Sequence, residues 1–97
     1  MYSTFHAQQA VEKYLKAFLV ENNKPYPRTH DIRLLVKECM NIDKEFQYLL
    51  DIHVDKLTIY ATEYRYPEIN HEITREEAIE AIRLAKETRR FVLKKLG

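Results

Sequence analysis

With 97 residues, 45% of them hydrophobic, the chain is one domain with room for a single modest core. One Gly and three Pro leave too few turn formers for an all-β fold, and lone Cys39 excludes an internal disulfide or a cysteine-based zinc site. A formal net charge of +1 excludes nucleic-acid binding by bulk charge alone, and the sequence has neither a ~20-residue apolar run nor a signal-peptide pattern, so a cytoplasmic protein is expected.

Four helices are predicted in chain order. The first runs from about Ser3 to Glu21, with Ser3 or Thr4 as N-cap. Ala7, Ala10, Val11, Tyr14 and Phe18 gather on one side of it. Gln9, Glu12, Lys13 and Lys16 gather on the other, beside Phe5. One amide, a carboxylate and two ammoniums together are more than solubility requires, and the set suits a polar ligand or partner. Asn22 and Asn23 stop the helix, and Pro25 and Pro27 hold the connection extended. The second helix starts after Thr29 or His30, with Thr29 as a plausible cap, and ends near Asn41. Its apolar side carries Ile32, Leu35, Val36 and Cys39, which places the cysteine in the core.

The third helix is expected from Asp43 to about Tyr64. One apolar stripe joins Phe46, Leu50, Leu57, Tyr60 and Tyr64 and faces the core, with His53 beside it as a hydrogen-bonded core histidine. A second stripe, Tyr48, Ile52 and Ile59, lies nearly opposite. Two apolar faces on one helix imply a cover for the second, most simply another copy of the chain, so a homodimer through Tyr48, Ile52 and Ile59 is expected. Pro67 forbids smooth continuation, making Arg65–Ile73 a bent connection. The fourth helix opens on Thr74-Arg-Glu-Glu77, a capping-box spacing, and runs almost to Gly97. Its expected buried stripe is Ala78, Ile82, Ala85, Val92 and Leu96. Arg89 falls in that stripe and would need a carboxylate neighbour. Arg83, Arg90 and Lys94 alternate with Glu80 and Glu87, the pattern of a solvated face with local ion pairs.

Three segments, FHAQQAVEKYLKA, PRTHDIRLLVKE (Pro27–Glu38) and EYRYPE (Glu63–Glu68), in that order, resemble the HEPN family of small bacterial and archaeal helical domains. The resemblance implies an all-α up-and-down four-helix bundle, frequent dimerisation, and frequent pairing with a minimal nucleotidyltransferase in toxin–antitoxin-like modules. Some members are ribonucleases, and others are thought only to bind nucleotides. The family also implies a further amphipathic helix ahead of the FHAQQA-like segment. Here that segment begins at the fifth residue, which leaves a groove that a swapped element or a closer dimer would fill.

The resemblance also bears on individual residues. Arg65 and His71 are separated by five residues, within the Arg-(four to six)-His spacing of ribonuclease members. There the His acts on the ribose 2′-hydroxyl and the Arg steadies phosphate charge. Tyr66 and Pro67 replace the usual polar residue and helical context. Arg65 has two other readings. It caps helix-end carbonyls or pairs with Glu63 or Glu68, or its guanidinium forks onto phosphate beside Lys13 and Lys16. His30 resembles the His of the family's PRTHDL-like turn; it either helps Thr29 or Asp31 with capping or joins the first helix's polar set. His6 is expected at the surface.

No metal motif, glycine-rich phosphate loop or cofactor fingerprint is present, so phosphate recognition would use side chains and helix ends. The leading functional expectation is a non-catalytic module binding a nucleotide or a nucleotidyltransferase, through Gln9, Glu12, Lys13, Lys16, His30 and Arg65. The rivals are a metal-independent ribonuclease toxin using Arg65 and His71, and a purely structural homodimer.

Overall fold

A computed structural model of the chain describes residues 4–61 and 73–97, and every regular element among them is helical. Helix α1 spans Thr4–Glu21. It buries Ala7, Gln8, Val11, Glu12, Leu15, Phe18 and Leu19, one stripe at alternating three- and four-residue spacing. Its end is a Schellman motif built on asparagine. Asn23 takes the left-handed conformation (φ 59°), Lys24 N–H donates to the Leu19 carbonyl at 2.9 Å, and Asn23 N–H to that of Val20 at 3.0 Å.

Helix α2 covers Ile32–Met40 and buries Ile32, Leu35, Val36 and Cys39, the face that the sequence pattern predicts. Its cap is Asp31 rather than Thr29. The Asp31 carboxylate accepts from Leu34 N–H at 3.3 Å, while the Thr29 hydroxyl accepts from Asp31 N–H at 3.0 Å. Thr29 therefore shapes the turn before the cap. Burial pushes the Cys39 thiol up to about 12, with Glu38 adding to the shift.

The expected continuous third helix is broken. Short 3₁₀ turns at Lys44–Phe46 and Val54–Thr58 flank helix α3, Gln47–Asp51, and residues 59–61 are again helical. The break lies at His53, whose φ of 65° puts it in the left-handed region, and the residue is exposed rather than in the core. Packing explains this. The buried residues are Phe46, Leu49, Val54, Leu57, Tyr60 and Ala61, and an uninterrupted helix would turn Leu49 and Val54 about 140° apart. Re-phasing the chain at His53 brings both inward and leaves Leu50 and Ile52 half-buried.

Helix α4, Arg75–Leu96, begins with the predicted capping box. Glu77 N–H donates to the Thr74 hydroxyl at 3.0 Å, and Thr74 N–H to the Glu77 carboxylate at 3.4 Å. Its buried residues are Ala81, Leu84, Ala85, Thr88 and Val92. The expected stripe was thus turned around the helix. Ala78 and Ile82 are half-buried, while Arg89 and Leu96 are exposed, so Arg89 needs no buried carboxylate. Thr88 fills the inward position because its hydroxyl donates to the Leu84 carbonyl at 2.8 Å, which removes the cost of burying it.

Helix α4 packs along α1, and α2 and the broken third segment close the core. Phe46 anchors it, with ring centroids 4.4 Å from Phe18 and 5.1 Å from Phe91. Among the described residues no helix is long and apolar enough to cross a membrane.

Candidate functional site

Two polar regions lie on α1, one helical position apart. The first is closed. Gln8 is fully buried and Glu12 only 6% exposed. Gln8 Nε2 donates to the Glu12 carboxylate and, at 3.5 Å, to the His30 carbonyl. His30 Nδ1 stands 3.2 and 3.0 Å from the two Glu12 oxygens, and Lys16 Nζ lies 3.2 Å from Oε1. Lys16 also sits 5.4 Å above the Tyr26 ring. These contacts fasten the Pro25–Pro27 connection to α1. The Glu12 charge is held by donors from three directions, which is what a buried carboxylate needs. Gln8 Oε1 finds no donor among the described residues. A reversed amide would bring that oxygen onto the carboxylate, so the two donated bonds fix its orientation.

The second region is open. A cavity of about 290 Å³ is lined by His6, Gln9, Ala10, Lys13 and Tyr14, and another of about 410 Å³ by Tyr14, Ala85, Lys86 and Arg89. They adjoin at Tyr14 and are together termed the α1–α4 groove: the second lies between the two helices and the first along α1. Lys13, Lys86 and Arg89 are exposed and take no part in any ion pair among the described residues. No carboxylate lines either cavity among those residues, and none stands three or four positions from any of the three cations along its helix.

A third cavity, about 390 Å³, lies across α4 from that groove, lined by Glu45, Tyr48, Arg90, Phe91, Lys94 and Lys95. Its charges are largely matched. Lys95 bridges Asp43 at 2.8 Å and also Glu45, Arg90 pairs with Glu87, and Tyr48 donates to Glu87 at 2.7 Å. The Arg90 hydrogen bond, then that of Tyr48, pull the Glu87 carboxyl down to about 2. Hydrogen bonding to Lys95 lowers Asp43 in the same way, and the Glu87 contact raises the Tyr48 phenol. Glu80–Arg83 and Glu87–Arg90 are the local pairs that the α4 charge pattern predicts.

The sequence-predicted set therefore separates. Glu12, Lys16 and His30 come together, whereas Gln9 and Lys13 face the open groove. Arg65 and His71 lie outside the described residues, as do Tyr64 and the segment around Pro67 where a bent connection is expected. Gln8, Lys86 and Arg89 were absent from the predicted set. Gln8 had a readable signal: positions 8, 12, 15 and 19 continue the buried stripe of α1. Tyr48 meets its own chain, stacked on Phe91 at 5.5 Å, so α4 supplies part of the cover expected from a second copy. Ile59 remains 51% exposed. No group of three or more potential metal ligands occurs among the described residues.

An all-helical bundle whose first helix buries an amide–carboxylate pair, met by the exposed His30 of the following connection, is a small all-α domain. The family model described as HEPN domain matches residues 1–96, and the chain belongs to that family. Comparisons with curated proteins and with solved structures give no match.

Proposed function

We propose that the chain is a non-catalytic HEPN-type module that binds a nucleotide, taking its phosphate in the α1–α4 groove. Lys13, Lys86 and Arg89 are the anion contacts, and Gln9 orients the sugar or base. The observation that carries this reading is the absence of carboxylates around those three cations among the described residues, against the Tyr48 cavity, where carboxylates hold Lys95 and Arg90 and leave Lys94 alone outside an ion pair among those residues. Among the described residues, an anion entering the groove displaces no counter-ion side chain. The closed cluster suits phosphate poorly, because Glu12 already occupies Lys16 and His30 and would repel a second anion. Its role here is to hold α1 at the angle that presents Lys13.

Calorimetric titration with AMP and with inorganic phosphate tests the assignment. Whichever of Lys13→Gln and Arg89→Gln alters the recess that takes the single phosphate should weaken AMP binding about tenfold, the worth of one charge-assisted hydrogen bond, and Lys16→Gln should change it by less than about twofold. The reverse ranking would move the site to the closed cluster. Cleavage of RNA in chelator, lost in both Arg65→Ala and His71→Ala, would replace the binding role with a ribonuclease one. Pairing with a minimal nucleotidyltransferase in a toxin–antitoxin-like module fits this role. Self-association through Tyr48, Ile52 and Ile59 belongs to the same reading, supported by the open face of Ile59. Light scattering of Ile59→Glu should then report monomer where the wild type reports dimer.

A further inference from the structure

Tyr14 divides the α1–α4 groove in two. Among the described residues it is the one residue that both cavities share, with Gln9 and Lys13 on one side and Lys86 and Arg89 on the other. It is half-buried, and its ring stacks on no other aromatic ring among those residues. Part of the ring packs on the core, and the part left open between two cationic recesses is a stacking platform with a charge at each end.

That arrangement distinguishes nucleotides by where their charge lies. In AMP, ADP and ATP every phosphate leaves from the 5′ carbon, so a nucleoside held against Tyr14 delivers charge to one recess only. A nucleoside phosphorylated on both sugar ends delivers one phosphate to each. Building on the nucleotide reading above, we propose that the groove selects a nucleoside carrying phosphate on both its 3′ and 5′ oxygens. That chemistry occurs in a free 3′,5′-bisphosphate and in an internal nucleotide of a single strand. Lys13 takes one phosphate, Lys86 and Arg89 the other, and Tyr14 stacks on the base between them.

Titration of the full chain with adenosine 3′,5′-bisphosphate, ATP and 5′-phosphorylated triadenylate at low salt tests this. ATP has comparable charge placed on one side only. The bisphosphate should bind about tenfold tighter than ATP, and Lys13→Gln or Arg89→Gln should each erase that preference. Tyr14→Leu should weaken both ligands, and Tyr14→Phe should restore them; unchanged melting temperatures verify that the variants fold. Triadenylate binding as tightly as the bisphosphate assigns the site to a strand, and weaker binding assigns it to the free bisphosphate. ATP binding as tightly as the bisphosphate would overturn two-sided selection while leaving the nucleotide reading intact. No binding of any of the three would overturn both.

Discussion

Gln8, Glu12 and Lys16 form one row on α1, and Gln9 and Lys13 form the next, about 100° around the same helix. The first row is buried or half-buried and tied across the bundle to His30. The second is exposed and opens onto Lys86 and Arg89 of α4 through the shared wall of Tyr14. The residue types in the two rows barely differ. What differs is whether a carboxylate is present to hold the cations. Glu12 turns its row into a fastening, and the lack of an acid in the other row leaves a charge for a ligand to meet.

The largest test of that contrast is Glu12→Ala. It leaves the Gln8 amide, His30 and Lys16 without their acceptor, so it should cost about 3 kcal/mol. In a domain this size that lowers the melting temperature by roughly 12–24 °C. Lys13→Ala, one residue on, should stay within about 0.5 kcal/mol of wild type. A comparable loss from both would erase the distinction between fastening and open face.

Removing the α2 cap probes the fastening from its other side. Asp31→Ala should cost about 1 kcal/mol in thermal unfolding. If Asp31 and the Glu12–His30 contact hold the same connection, the cost should shrink when Glu12 is already Ala.

Glu87 offers a smaller, pH-dependent comparison with a region whose charges are matched. Its folded value, about 2, lies below the ordinary carboxyl value of 4.5, so the unfolded chain binds the proton more readily. The contribution is complete above about pH 4.5 and disappears as pH falls through 2. The partners are open to solvent, so the effect should be under about 1 kcal/mol, and Glu87→Gln should remove that part of the acid melting curve.

Much of the architecture was legible in the sequence. The α2 face, the burial of Cys39, the Thr74–Glu77 capping box and the ion pairs along α4 all depend on neighbours within four residues, and the sequence displays those directly. What it concealed is long-range. Glu12 looks like a surface residue until His30, 18 positions away, supplies its partner. The break at His53 follows from the need to bury both Leu49 and Val54, and helical spacing alone argues against it. Arg89 looked buried because Thr88 reads as polar, although its hydroxyl is satisfied within the helix. Of the candidate site, Lys13 and Gln9 were visible as an exposed polar pair, but Lys86 and Arg89 joined them only once α4 lay beside α1.

The most direct measurement is a two-dimensional amide spectrum recorded while AMP is added at low salt. Shifts concentrated at Gln9, Lys13, Tyr14, Lys86 and Arg89, with Gln8, Glu12 and His30 still, are the predicted result. Shifts centred on Glu12, Lys16 and His30 would contradict it, as would a spectrum that AMP leaves unchanged.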